Sequence, residues 1–550
     1  MPHPQVLIVG AGPTGLALAA QLDRLGVNTR IIDTHAAPLA LTKSAALHAR
    51  TLEHLRDLGV TDRILAEGQR VDVLTLRTSH RDRLSVDFRV LNNTAYPHLV
   101  DIPQYRTEQI LIDHLTRHGV PLHRSTTLVG LTSTDSGVTA TLTTPDGDTE
   151  TVTPQWVVGC DGAHSTVRDL LGIDFDGTTY SDPWVLCDAV VDWPLPRNEM
   201  TFSSDGSGIY GVFPLPGRGR FRLAYTQTID ATGRLVPPTH NDAQAALSRT
   251  GIPATIESTD QFWTFNLARK QATSYRLGRV FLAGDAAHVH TPFGGQGLNL
   301  GVADAINLGW KLAAVIAGWA PTALLDSYQA ERHRIGRQVV RFTHLGAAAM
   351  LLRSDPRRHL RDLVLSGLQA SMPARKLLAY RLSQLAHSYR GTAGVTGRAG
   401  ILHGGDRLPD PTLFDGVTHQ PQRLHDQLAT DRHTLLLTAP KPDPTLPIQI
   451  NRLADRLSRR WPGAVELRLL TPAWQVTQAV RAQVPVLLDR GRNAQKLYDA
   501  GAVAFVIRPD RHIGYAGPPE PNRIERYLSA LLRKDDAAPH AQREVDLRGM

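Results

Sequence analysis

A chain that places strand, glycine-rich turn, helix, strand and acid within its first 33 residues has little choice of fold. Residues 6–9, Val-Leu-Ile-Val, read as a buried parallel strand, and Gly10-Ala11-Gly12-Pro13-Thr14-Gly15 follows at once. An apolar helical pattern runs to Leu25, and a second strand over 29–32 ends in Asp33, 23 residues after Gly10. The glycines allow a tight turn and close approach of backbone to a pyrophosphate, and the acid falls where an adenosine ribose would lie. A glycine turn that merely packs a helix on a sheet does not require an acid at that distance.

Two later segments repeat the logic. An apolar run over 279–283 leads into Gly284-Asp285-Ala286-Ala287-His288-Val289-His290-Thr291-Pro292-Phe293-Gly294-Gly295-Gln296-Gly297-Leu298-Asn299 and then a strongly helical stretch over 301–316. An acid at a strand tip can accept hydroxyl hydrogen bonds, and the following helix start offers free N–H groups to negative charge. Between the two lies Trp156-Val157-Val158-Gly159-Cys160-Asp161-Gly162-Ala163-His164-Ser165-Thr166-Val167-Arg168, another apolar strand running into Asp-Gly. Alone, that Asp-Gly would read as an ordinary strand-end turn.

These three motifs, in this order, resemble the group A FAD-dependent aromatic hydroxylases, the phenol hydroxylase-like monooxygenases, and within them the branch of aromatic polyketide hydroxylases and rifampicin monooxygenase. The resemblance spans about residues 4–390 and continues more weakly to about 530. It implies an α/β fold: a Rossmann-like FAD-binding domain, an inserted β-sheet substrate domain as in p-hydroxybenzoate hydroxylase, and a C-terminal thioredoxin-like domain. It also implies bound FAD, transient NADPH or NADH, and oxygen transfer through a flavin C4a-hydroperoxide to an aromatic, polycyclic or polyketide substrate. Baeyer–Villiger insertion or another oxidative rearrangement, simple phenol hydroxylation, and a non-catalytic flavin-fold escort protein are the alternatives.

Site roles follow from the match. Gly10, Gly12, Thr14 and Gly15 shape the pyrophosphate turn. Asp33, where the family usually has Glu, takes the ribose beside Thr34. Lys43 stands where relatives often carry Arg, and without the planar fork it keeps only the charge. Gln104 and Arg106 match a further FAD-contacting segment, and Asp161 and Arg168 belong to the middle motif. Asp285 is expected at the ribityl chain, with Gly295, Gly297, Leu298 and Asn299 along the flavin ring. Arg50, Pro292, Phe293 and Gly294 are the candidates for a place beside the reaction itself; for Arg50 a solvated helix arginine is the equal alternative. His288 and His290 read as structural groups of the loop.

Composition agrees. The 550 residues are 42% apolar and 20% charged, which is ordinary for a multidomain globular chain with ample core. A formal charge of +8 without a dense basic block gives no support to nucleic-acid binding. Cys160 and Cys187 are the only cysteines, with no metal-ligand spacing, so neither a disulfide framework nor a metal site is expected and a reducing cytoplasm fits. No apolar run reaches the roughly 20 residues of a membrane helix. A second copy of the chain is the one macromolecular partner this reading admits.

Domain by domain, 1–178 and 276–390 form the cofactor domain, and 179–275 an inserted sheet with strands at 184–193, 208–213, 220–226 and 261–268. There Trp184, Phe202, Tyr210, Phe213, Phe262 and Trp263 are the candidate pocket residues, although plain core packing explains any one of them. Residues 400–535 form the C-terminal domain, with strands at 433–440, 465–470, 484–489 and 502–508 and no cysteine for dithiol chemistry. The polar tail, 536–550, reads as disordered.

Overall fold

The computed structural model describes residues 3–533 apart from 39–43, 79, 135–136, 207, 228–235, 292–293, 353–354, 442–444 and 473–483. Lys43, Pro292, Phe293 and the 536–550 tail therefore lie outside the described residues. The chain divides into two compact units. The first comprises Met1–Trp310, Leu325–Ala393 and Asp406–Pro411; the second comprises Lys311–Leu324, Gly394–Gly405 and Thr412–Met550.

The first unit contains a six-stranded sheet in the order Arg276–Leu277, Val280–Leu282, Trp156–Gly159, Val6–Val9, Thr29–Ile32, Leu122–His123. All its pairings are parallel except the outermost, Arg276–Leu277 with Val280–Leu282. The strands that precede the three motifs are thus immediate neighbours, with Val9 opposite Gly159 and Gly159 opposite Leu282. Parallel register aligns their C-terminal ends, so Gly10, Asp161 and Gly284 emerge side by side. Close packing there demands glycine: a Cβ on Gly15 would lie 2.0 Å from the Gly10 carbonyl oxygen, and one on Gly159 would lie 2.8 Å from the Val167 side chain.

An eight-stranded sheet forms the inserted layer, in the order His288–Val289, Thr255–Ala272, Phe175–Asp192, Arg220–Thr226, Ile209–Pro214, Glu199–Ser204, Val73–Thr78, Arg81–Asp87. Its two long strands have 18 residues each and pair along nearly their whole length, well beyond the 184–193 and 261–268 expected from the sequence. Exposed and half-buried polar residues break the apolar pattern at their ends, so the extra length was not visible. Glu199–Ser204 was missed altogether. Val73–Thr78 and Arg81–Asp87 join this sheet although they fall within 1–178; backbone pairing of Val73–Thr78 with Glu199–Ser204 carries them across the expected boundary.

One face of this sheet packs on helix His240–Ser248, burying Val185, Cys187, Ala189, Tyr210, Val212, Phe221, Leu223 and Tyr225 against Ala243, Ala246 and Leu247. Strand alternation sends Trp184, Leu186, Asp188, Phe202, Phe213, Arg222 and Trp263 to the opposite face.

The second unit is built on a mixed sheet. His433–Thr438, fully buried, is parallel to Val465–Thr471, which is parallel to Val486–Leu488. On its other side Ala504–Ile507 and Ile513–Gly517 continue antiparallel. Helices Leu446–Arg460 and Pro521–Leu531 each bury one apolar stripe, Ile450, Leu453 and Leu457 in the first and Ile524, Leu528 and Leu531 in the second.

A buried ion cluster locks helix Ala49–Asp57 of the first unit. Glu53, 1% exposed, accepts from Arg50 Nη1 (2.7 Å), Arg407 Nε (2.9 Å), Arg407 Nη2 and the Thr94 hydroxyl (2.7 Å). Removing the carboxylate leaves two guanidinium groups without their buried counter-charge. Glu53→Ala is expected to cost about 3–5 kcal/mol of unfolding free energy, read as a lowered midpoint in urea; an unchanged midpoint would show that the arginines find other partners.

Candidate functional site

The three aligned strand ends build one wall. Gly10 takes φ +103°, a conformation favouring glycine, and helix Pro13–Arg24 begins with no side-chain cap at Gly12. A Cβ on Gly12 would meet nothing within 4 Å, so the turn is open at this point, and an uncapped helix start suits a pyrophosphate. At the next strand tip Asp33 accepts the Ala11 N–H (2.7 Å) and the His35 N–H (2.8 Å), with Arg124 3.6 Å away. A carboxylate has about four acceptor sites, so capacity remains for ribose hydroxyls. An open surface depression lined by Pro38, Gln109, Ile112 and Thr116 also takes in Arg124. Thr34 is exposed and its hydroxyl bonds that of Thr127 (2.8 Å).

Thr14 does not face the cradle with its hydroxyl. Gly284, at φ +63°, and Gly301 both close on the Thr14 side chain: a Cβ on either would lie 2.5 and 2.2 Å from its Oγ1. Thr14 is the peg that fixes the first motif to the last. Asp285 follows Gly284 in a short 3₁₀ turn; it is exposed and makes no hydrogen bond or ion pair with the described residues. Such a free carboxylate at a strand tip is suited to a polyhydroxylated ligand.

Asp161 is occupied within the protein. It accepts the Ser165 hydroxyl (2.6 Å) and the Val167 N–H (3.0 Å), while Ser165 caps helix Thr166–Leu170 through the Arg168 N–H. Burial raises its pKa, and the hydrogen bonds from Ser165 and Val167 only partly oppose that. Arg168 donates to the carbonyls of Ala286 (3.2 Å) and Ala163 (3.1 Å), binding the middle motif to the Asp285 turn.

The glycine-rich loop is held from behind. Gly294 and Gly295 have φ +75° and +63°, and His48 Nε2 lies 2.9 and 3.1 Å from their carbonyl oxygens. Because both partners only accept, Nε2 carries the proton. Burial pushes the His48 pKa down to about 4, leaving the ring neutral. Asn299, fully buried, accepts the His48 N–H (2.8 Å) and donates to the carbonyls of Ala46 (2.8 Å) and Gly295 (2.7 Å). Its side chain therefore shapes the loop, while Gly297 and Leu298 stay half-buried on its open side. Below the loop, Asp304 gathers His288 Nε2 (2.7 Å), Arg332 Nε (2.6 Å) and the Gly284 N–H (3.1 Å). Burial alone would raise the Asp304 pKa, but Arg332 and His288 more than offset it and hold the carboxyl below the usual range. His290 is half-buried and Nδ1 lies 3.0 Å from the Thr291 carbonyl.

Other assignments separate. Gln104 bonds Glu108 (2.9 Å), whereas Arg106, one turn-phase away, pairs with Glu67 (2.5 Å) on another side of the helix. Arg50 is buried in the Glu53 cluster, which removes the solvated-arginine alternative. Of the six aromatic candidates, Trp184, Phe202, Phe213 and Trp263 share one face of the sheet, with the Phe202 and Phe213 rings edge-on at 5.2 Å. Tyr210 and Phe262 point the other way, into the core under helix His240–Ser248. A small apolar cavity of about 50 Å³ joins Phe202, Leu74, Leu76 and Val86 to Gly294 of the loop.

Sequence reasoning missed the Asp188–Arg222 pair on this face, joined by two hydrogen bonds of 2.7 and 2.9 Å with Trp263 5.9 Å from the guanidinium. The signal was present: an Asp and an Arg, each inside an apolar strand, must find a partner when buried. His48, Asp304 and Arg332 gave no comparable signal.

The free carboxylate yields a direct test. Asp285→Ala is expected to lose FAD occupancy with its circular dichroism unchanged, measured by flavin absorbance after reconstitution; stoichiometric flavin in the variant would show the carboxylate is not an anchor.

The chain matches the FAD binding domain family over residues 3–343. It is 36% identical over 532 residues to 12-dehydrotetracycline 5-monooxygenase/anhydrotetracycline 6-monooxygenase of Streptomyces rimosus subsp. rimosus, covering 94% of this chain and 95% of that protein. To rifampicin monooxygenase of Streptomyces venezuelae it is 38% identical over 380 residues, covering 65% and 75%. The solved structure of anhydrotetracycline hydroxylase from Streptomyces rimosus superposes with a TM-score of 0.75 at 32% identity, over 96% of this chain and 99% of that one. The chain belongs to the FAD-binding-domain family and is a flavoprotein aromatic monooxygenase.

Proposed function

We propose that this enzyme hydroxylates a fused polycyclic phenol of polyketide type, using FAD, O2 and NADPH or NADH. The carrying observation is the sheet face that sets Trp184, Phe202, Phe213 and Trp263 around the buried Asp188–Arg222 pair. Broad aromatic surface suits a planar ring system, and one charged pair in its midst suits the oxygen substituents of such a ring. Relatives named for tetracycline-type and rifampicin substrates support the same class.

Bound FAD would supply the oxygen-transfer chemistry. In balance, one oxygen atom of O2 enters an aromatic C–H bond, the other leaves as water, and NAD(P)H and a proton provide the electrons and hydrogen. The chain's own part is placement. The uncapped turn at Gly12 would hold the pyrophosphate, Asp33 the adenosine ribose and Asp285 the ribityl hydroxyls. The loop fixed by His48 and Asn299 would back the ring, and the apolar face would exclude water. Gln104, Arg106, Asp161 and Arg50 enter this reading as supports of the seat.

The second unit is read as a thioredoxin-like domain without redox chemistry, since both cysteines lie in the first unit. Among the described residues no helix is long and apolar enough to cross a membrane. Two buried free thiols support a reducing cytoplasm. The outward Leu360, Leu363 and Val364, at helical spacing on Asp355–Ala370, support a homodimer.

The reading is tested with the FAD-loaded protein by screening polycyclic phenols, anhydrotetracycline among them, for stimulated NADPH and NADH oxidation with product mass. Coupled oxidation giving a product heavier by one oxygen is expected. Hydrogen peroxide as the only product with every candidate would overturn it.

A further inference from the structure

Helix Asp355–Ala370 carries its amphipathic pattern reversed. Its polar residues face the protein. Arg361, 6% exposed, donates to Asp362 (2.9 Å), and Asp362 also accepts the Thr78 hydroxyl (2.8 Å). Gln369 accepts the Ser85 N–H (2.9 Å), so polar contacts tie the helix to strands Val73–Thr78 and Arg81–Asp87. Its apolar residues face outward: Leu360 is 63% exposed, Leu363 71% and Val364 54%, with Gly367 exposed in the same stripe. At 3.6 residues per turn these four positions span an arc of about 100°, the width of stripe that a surface helix ordinarily turns to the core.

Residue sizes and charges along the stripe say what covers it. Gly367 leaves a notch, since a Cβ there would meet nothing within 4 Å. Glycine inside a helix is unfavourable relative to alanine, and no neighbour within the protein requires it here. Leu360 and Gly367 stand about 5 Å along the axis on either side of the Leu363–Val364 midpoint. A two-fold axis through that midpoint, relating two antiparallel copies of the helix, sets Leu360 of each copy over Gly367 of the other. Leu363 and Val364 then meet their own counterparts. Charge agrees with this pairing. The last turn of the helix has no basic residue, and the exposed Arg357 comes beside the last turn of the other copy, where carbonyl ends favour a cation. A lipid surface would draw on apolar bulk along the whole stripe and gain nothing from a notch.

We propose that helix Asp355–Ala370 is the dimer interface of this protein, packed antiparallel on the same helix of a second copy with Leu360 seated in the Gly367 notch. The inference rests on the homodimer reading given above and names its surface, its axis and the residue pair that sets its register. The contact is isologous, so each knob-and-notch pair occurs twice. Because Asp362 and Gln369 hold the helix to the outer strands of the eight-stranded sheet, the interface is carried by the sheet that also bears Phe202 and Phe213.

The test measures self-association of the full-length, FAD-loaded protein by sedimentation equilibrium over a concentration series. Gly367→Leu fills the notch and is expected to weaken the dimer by about ten-fold or more. Combining it with Leu360→Ala exchanges knob and notch, and is expected to restore most of that loss, which a general disturbance of the helix would not do. Val364→Cys, close to the axis, is expected to give a disulfide-linked dimer under mild oxidation, since both natural cysteines are buried. A wild-type dimer unaffected by Gly367→Leu and not cross-linked through Val364→Cys would overturn this surface and leave the homodimer reading standing. A wild type that stays monomeric at every concentration would overturn both. A monomer that binds phosphatidylglycerol vesicles, and loses that binding in Leu363→Glu, would replace the second copy with a lipid surface.

Discussion

The side chain of Asn299 is the hinge of the site. One amide satisfies three backbone groups from three places: the His48 N–H at the start of helix Ala49–Asp57, the Ala46 carbonyl of a short strand, and the Gly295 carbonyl of the glycine-rich loop. Every bond is made inside the protein, where an unmade one costs about 1–3 kcal/mol. His48 adds a second brace by donating to the same loop. Two left-handed glycines in succession are a flexible element in isolation; with their carbonyls pinned they become a fixed surface.

That surface matters because of what the parallel sheet places beside it. Three motifs separated by more than a hundred residues each meet at adjacent strand ends, and small contacts lock them together: the Thr14 peg between Gly284 and Gly301, and Arg168 reaching the Ala286 carbonyl. Asp304 supports the arrangement from below by holding His288, Arg332 and the Gly284 N–H together. The inserted sheet presents its aromatic face from a second layer of the same unit, and the proposed function assigns cofactor placement to the first layer and ring recognition to the second.

Local signals made the FAD-binding family readable. Strand, glycine turn, acid and helix start lie within a few residues of each other, and their order carries the chemistry. The C-terminal strands were equally plain, because buried strands such as Ala504–Ile507 are continuous apolar runs. Long-range pairing was not readable. Nothing in the sequence shows that Asp161 accepts from Ser165 and Val167, or that Arg106 pairs with Glu67 while Gln104 bonds Glu108. Tyr210 and Phe262 have the same composition signal as Phe202 and Trp263. Only strand register, interrupted by bulges in the long pair, decides which face each occupies.

The central claim is that a preformed loop, clamped through Asn299, makes the FAD seat. Equilibrium titration of FAD into the apoprotein of wild type and Asn299→Ala tests it most directly. The account predicts a folded variant, by far-ultraviolet circular dichroism, whose FAD affinity falls by about ten-fold or more as the pinned carbonyls lose their donors. A variant that binds FAD as tightly as wild type would contradict it.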